Sequence, residues 1–234
     1  MTTEDLRVDI DRSVAVFVLL VVAGLVSLSF DMPLARACAT EEAPRELQAI
    51  LDRVEVFGHA YGVAVTALTI WFVAPAKRVW LPRFLAASYG AGLMADIGKL
   101  TVWRYRPCSY DLSGSVADSF VGSIFTTSGQ HLAELVQSSH HSLPSAHTAT
   151  AVAAAMILGR IYPHARGWFV TLAVLVAANR IEGCAHFASD VCWGAAVGYA
   201  TQAVVASGGM LTPALNRLEY RIMASSKALV TTSG

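Results

Sequence analysis

Charge is what this sequence has least of. Only 15% of its 234 residues are Asp, Glu, Lys or Arg, against roughly 25% in an ordinary soluble domain, and the two signs cancel to a net charge of zero. With no basic tail and no basic stripe, no nucleic-acid partner is expected. Cysteine is scarce as well. Cys38, Cys108, Cys184 and Cys192 fall at no metal-ligand spacing, and His140, His141 and His147 have no carboxylate at a suitable distance in sequence, so no metal or other cofactor is expected. No internal repeat is detectable.

What is present in abundance is apolar sequence, 55% of the chain with a mean hydropathy of +0.51. It is gathered into six stretches, at about Val14–Phe30, Val56–Ala74, Phe84–Gly98, His147–Tyr162, Arg166–Ile181 and Phe187–Ala206. Each approaches the ~20 residues that a membrane-spanning helix needs. Small residues recur every fourth position, as in Ala87, Ala91 and Ala95 or Gly194 and Gly198, which lets membrane helices come close together. The expected fold is therefore all-α, a polytopic membrane protein forming a single domain over residues 1–234 with six transmembrane helices.

Basic residues orient it. With six spans, Arg7, Arg12, Lys77, Arg78, Arg83, Arg160, Arg166, Arg217, Arg221 and Lys227 fall on the side of the termini, and the fewer Arg36, Arg45, Arg53, Lys99, Arg104, Arg106 and Arg180 fall opposite. The positive-inside tendency then makes the termini cytoplasmic, with the protein in the cell's inner (plasma) membrane. "LARACA" after the first span resembles a signal-peptidase site, but the leader is acidic rather than basic, so the span is expected to be retained. Cys38, Cys108 and Cys184 would lie at the outer surface, where a disulfide is permitted; their pairing stays open, as does the oligomeric state. Leu47, Ile50, Leu51 and Val54 share one face of a short amphipathic helix after Pro44, expected to lie in the outer interface. The polar segment Cys108–Leu143 is expected to be a long functional loop outside the bundle.

Three ionisable islands sit at the outer ends of these spans. In "KLTVWRYRP", Lys99 and Arg106 are seven residues apart and share a face if the helix continues. In "HHSLPSAHTATAV", Pro144 suits the first position of a helix, which would leave the backbone N–H groups of Ser145 and Ala146 as donors at a positive helix end, with His147 beside them. In "NRIEGCAHFASDV", His186 and Asp190 are four apart, on one face if a helix has begun, so the carboxylate can orient the ring. Arg180 would point away from His186 on an unbroken helix, so a turn at Glu182–Gly183 is expected to bring them together. Three cations suit a dianionic phosphate, arginine above all.

These three islands, in this order and placement, resemble the signature motifs of the type 2 phosphatidic acid phosphatase superfamily. The resemblance implies a metal-independent membrane phosphatase acting on a lipid phosphate or pyrophosphate from an extracytoplasmic site. It implies His186 as a nucleophile that becomes phosphohistidine, with Asp190 as its orienting partner, and His147 as general acid and then base. Lys99, Arg106, Arg180 and Ser145 would hold the phosphate together with the Ala146 N–H. Ala146 stands where the family usually has Gly, and Asn179 where it usually has Ser, departures that bear on substrate range. The alternative on the same motifs is a phosphotransferase that passes the phosphoryl group to a second lipid.

Overall fold

Residues 10–41, 43–123, 125, 141–207 and 212–232 are described in the computed structural model of the chain. They form a mostly helical protein: α1 (Ile10–Thr40), α2 (Arg45–Glu55), α3 (Ala60–Val73), α4 (Leu81–Thr101), α5 (Ala146–Ile161), α6 (Arg166–Glu182), α7 (Ala188–Ala206) and α8 (Thr212–Thr232). The six expected apolar stretches fall in α1, α3, α4, α5, α6 and α7. Among the described residues, only α1 is a single helix long and apolar enough to cross a membrane, while α2 with its following turn and α3 meet that test together across a bend of 71°. Helix length does not by itself make six spans, since the 14 residues of α3 rise only about 21 Å.

Helix α5 is the centre. Ala149, Ala153, Ala154, Ile157, Leu158 and Ile161 are buried in one cluster with Phe84, Ala87, Ala91 and Ala95 of α4, and its other side packs on Ala173 and Val176 of α6. The small residues do here what their spacing called for. A Cβ on Gly194 would lie 2.5 Å from the carbonyl oxygen of Ser145, and one on Gly198 2.2 Å from that of Ala149. Glycine at those positions lets α7 lie against the backbone of α5, and this crossing sets the N-terminal ends of the two helices side by side.

The helix carrying Lys99 does not continue to Arg106. It ends at Thr101, and Val102–Arg104 becomes β1, paired antiparallel with β2 (Phe120–Ser123). The run Val-Trp-Arg-Tyr combines β-branched and aromatic side chains that favour extended backbone, and Pro107 holds Arg106 extended at φ −75° and ψ 148°. The segment after Pro107 is also not a loop apart from the bundle. Tyr110, Leu112 and Val116 pack on Met32, Ala35 and Phe187, and the Arg36 guanidinium donates to the Leu112 carbonyl at 2.6 Å. Residues 1–9, 124 and 126–140, which include Leu132 and His140, lie outside the described residues.

At the opposite end, buried Arg83 of α4 pairs with Glu219 of α8 at 2.6 Å and donates to the Val205 carbonyl at 2.8 Å. That clamp seats α8, a helix the apolar pattern did not reveal because its sequence is not apolar.

Candidate active site

The turn between α6 and α7 brings Arg180 and His186 together. After Glu182 the chain folds back so that the N–H groups of Ala185 and His186 both donate to the Arg180 carbonyl, each at 3.1 Å. The left-handed residue of this turn is Cys184, at φ 50°, while Gly183 stays at φ −73°. A non-glycine residue there costs about 1–2 kcal/mol. His186 ends up 3% exposed, and its Nδ1 is buried without a hydrogen-bond partner. Burial, with Arg106 and Lys99 nearby and Arg180 adding less, pushes the imidazole pKa well below its ordinary value, against the pull of the Ser142 carbonyl. This environment favours the neutral ring that a nucleophile needs.

Asp190 does not orient this ring directly. Helix α7 begins only at Ala188, so His186 precedes it and the four-residue spacing does not put the two side chains on one helical face. Asp190 sits in the first turn, where Oδ2 accepts from the Phe187 N–H at 2.9 Å and from the Ser142 hydroxyl at 2.6 Å. Its Oδ1 accepts from Arg104 at 2.6 Å. Arg104, expected merely as an outer-face cation, is fully buried between two carboxylates, Asp190 and Asp31, the latter at 2.7 Å. Ser189 and Ser119 accept from the same guanidinium at 2.7 and 3.0 Å. A buried charge is tolerated only with its donors so fully engaged.

The N-terminus of α5 differs by one residue from the expected arrangement. Pro144 precedes the cap, and Ser145 is the N-cap itself. The Ser145 side chain is wholly buried and accepts from the Thr148 hydroxyl at 3.1 Å. Its N–H is not a free donor, because it donates to the Asp190 carbonyl at 3.1 Å. The donors left at this helix end are the N–H groups of Ala146 and His147, which have no acceptor among the described residues.

His147 faces a group that the apolar reading of α2 passed over. Nε2 of His147 lies 3.4 Å from Glu55, without hydrogen-bond geometry, and the other Glu55 oxygen is 2.9 Å from Arg180. Glu55 continues a polar stripe along α2. Gln48 donates to Glu182 at 3.1 Å, and Asp52 accepts from the Asn179 amide at 3.1 Å. The spacing of residues 48, 52 and 55 is helical and was visible in the sequence. Leu51 is buried, whereas Leu47 and Ile50 on the apolar side are exposed. Asn179 makes use of its extra length over serine: its Oδ1 accepts from the Arg180 guanidinium while its amide reaches Asp52. His59, in the turn before α3, sets its ring 5.1 Å from that of His147.

Of the remaining cations, Lys99 bonds Asp96 at 2.9 Å, and Arg106 lies near enough to act on both histidines. A cavity of about 310 Å³ opens beside His147, walled by Ala60, Tyr89, Gly92, Leu93 and Ala146. It reaches His147 but not His186. Cys184 has Cys38 and Cys108 as electrostatic neighbours, and all four thiols are free.

The sequence model of the PAP2 superfamily matches residues 80–209, which carry every expected site residue and leave out α1, α2 and α3. Among solved structures, the fold resembles the crystal structure of LpxE from Aquifex aeolicus, with a TM-score of 0.53 and 18% identity over 75% of this chain and 94% of that one. No curated protein sequence matches significantly.

Proposed function

The chain belongs to the PAP2 superfamily, and on that premise we propose that it is a membrane phosphatase hydrolysing a lipid phosphate or pyrophosphate through a phosphohistidine. The observation that carries the reading is buried His186 folded back onto Arg180 by two backbone hydrogen bonds beside the N-terminal end of α5, with Lys99 and Arg106 near enough to act on its ring. A phosphate dianion seated there would take its charge balance from the three cations and the N–H groups of Ala146 and His147. No divalent metal is then required.

His186 attacks phosphorus, and the bond to the leaving oxygen breaks as His147 gives that oxygen a proton. His147 then takes a proton from water, whose oxygen attacks the phosphohistidine and breaks the P–N bond. The mostly apolar cavity beside His147 supports a leaving group with an apolar part. Phosphatidic acid, phosphatidylglycerol phosphate and isoprenyl pyrophosphate belong to this substrate class.

The membrane setting is supported by apolar side chains that the chain does not cover, such as Leu19, Val26, Leu68, Phe72, Leu93 and Val174 on α1, α3, α4 and α6. Soluble monomers rarely expose apolar surface on that scale. We read α1, α3, α4, α5, α6 and α7 as six spans, with the site at the extracytoplasmic end and the termini in the cytoplasm.

The test is phosphate release from a panel of lipid phosphates in mixed micelles, with EDTA present throughout. Release from at least one lipid is expected. Silence across the panel, or release only after Mg²⁺ is added, would overturn the reading. Labelled phosphate appearing in an added acceptor lipid instead of in solution would identify a transferase.

A further inference from the structure

Glu55 occupies a place in this site that the family match does not account for, since it lies before residue 80. Its carboxylate spans two groups with different tasks in the proposed reaction. One oxygen is held by Arg180 at 2.9 Å, and the other faces His147 Nε2 at 3.4 Å. Among the described residues it is the only carboxylate within ion-pair distance of that ring. The other charged or titratable groups about His147 are Arg180 from α6, Lys99 from α4, Arg106 from the segment after β1 and His59 from the turn before α3, together with Asp96 of α4, which lines the same cavity and is paired with Lys99. Three of these are cations and oppose a proton on the imidazole.

The position of Glu55 is also built rather than incidental. Helix α2 is pinned along α6 by the Gln48–Glu182 and Asp52–Asn179 hydrogen bonds and by buried Leu51, so the carboxylate arrives on a fixed helix end. The arrangement of carboxylate beside imidazole that the sequence pattern placed at Asp190 and His186 is found here instead. Asp190 is committed to Arg104, Ser142 and the Phe187 N–H.

We propose that Glu55 is the positioning residue for His147, holding the ring and its proton toward the leaving oxygen. The proposal rests on the phosphatase reading. Geometry at 3.4 Å is loose, as such contacts often are before substrate binds, and a bound phosphate that draws on Arg180 would free the carboxylate to close on the histidine.

The test is a series of phosphate monoesters, from nitrophenyl through phenyl to alkyl, turned over by wild type, Glu55→Gln and Glu55→Asp in detergent. General acid help is worth roughly 10²–10⁴-fold where the leaving group is poor, and positioning supplies a part of it. Read as the single-turnover rate of leaving-group release, which does not wait for hydrolysis of the phosphohistidine, Glu55→Gln is expected to keep nitrophenyl cleavage within about 3-fold and to lose about 10–100-fold on alkyl esters, with Glu55→Asp recovering part of the loss. In a His147→Ala background, Glu55→Gln should add no further loss on alkyl esters. An equal fall in this single-turnover rate on every ester would overturn the proposal and leave Glu55 as a support for Arg180. Faster turnover would overturn it too, marking the carboxylate as a competitor for the phosphate seat. A double variant that melts like His147→Ala and loses more than His147→Ala alone would refute it, and where Glu55→Gln folds poorly Glu55→Asp is read in its place. Absence of turnover by wild type on all the esters would instead sink the phosphatase reading itself.

Discussion

Ser142 donates its hydroxyl to Asp190 at 2.6 Å, while its own backbone carbonyl acts on the imidazole of His186. The carboxylate therefore reaches the histidine through an intermediate serine, and its other oxygen is given to Arg104. Breaking a buried ion pair by removing one partner costs roughly 3–5 kcal/mol. Losing a neutral donor to a buried carboxylate costs less, about 1–3 kcal/mol.

Asp190→Asn is accordingly expected to lower the yield and melting temperature of folded protein sharply, because Arg104 keeps only Asp31 as a counter-charge. Ser142→Ala should melt closer to wild type yet form the phosphoenzyme more slowly, since the segment bearing the carbonyl beside His186 loses its tie to Asp190 and keeps only the Ser142 N–H bond to the Arg104 carbonyl at 3.1 Å. Thermal melting in detergent, paired with rapid-quench labelling, measures both. An Asp190→Asn protein that melts like wild type would refute the structural assignment of this carboxylate.

His186 is expected to remain neutral where an ordinary histidine is charged. Its pKa is depressed by burial and then by Arg106 and Lys99, so protonation should begin only well below pH 6.5. At about one pH unit below the reference value of ~6.5, a free histidine is roughly 90% protonated. Nitrogen chemical shifts of labelled histidine, assigned by comparison with His186→Gln, should show the ring less protonated than a free histidine at that pH. A midpoint at or above 6.5 would contradict the burial and charge argument.

The parts of this site that were legible in the sequence are those governed by short-range rules. A helix that must turn back to bring Arg180 onto His186 announces itself by the Gly183 break, although the left-handed residue proved to be Cys184. Small residues at Ala91 or Gly194 signal close helix contact wherever they sit on a face. What was not legible depends on where a helix starts and on which partner wins a side chain. Placing Asp190 against His186 assumes a helix already begun at His186; it begins two residues later, at Ala188, where the Phe187 N–H and Arg104 are nearer. Arg104 looked like a membrane-edge cation, because sequence carries no mark of the two carboxylates that bury it. Glu55 was overlooked for a different reason. The apolar stripe of α2 suggested a helix lying on a membrane, and the polar stripe at residues 48, 52 and 55 proves to be the side docked on the site.

Close packing gives a prediction independent of chemistry. Gly194→Ala puts a methyl group 2.5 Å from the Ser145 carbonyl, and backbone cannot swing aside as a side chain can. Helix α7 must shift from α5, stretching the Ser145–Asp190 backbone hydrogen bond at the edge of the site. Lower melting temperature and reduced turnover are expected together. Gly167→Ala is the control, with nothing within 4 Å of the added carbon and a helical gain of roughly 0.5–1 kcal/mol. If the two variants melt alike, the α5–α7 contact is looser than the structure has it.

The two histidines should separate by leaving group. His186 is buried and is the proposed carrier of the phosphoryl group, so His186→Ala should form no phosphoenzyme with any substrate. His147 stands on the cavity side, where the departing oxygen would lie. A lipid alkoxide needs a proton in order to leave and a nitrophenolate hardly does; the difference amounts to about 3–5 kcal/mol of barrier for a 10²–10⁴-fold effect. His147→Ala should lose most of its lipid turnover and still be labelled by an aryl phosphate. Its phosphohistidine should then persist, because the base that activates water has gone as well. Rapid quench into alkali, which preserves phosphohistidine, reads the outcome directly. Label on His147→Ala and none on His186→Ala is expected. The opposite pattern would exchange the roles of the two residues, and equal label on both would exclude His186 as the sole nucleophile.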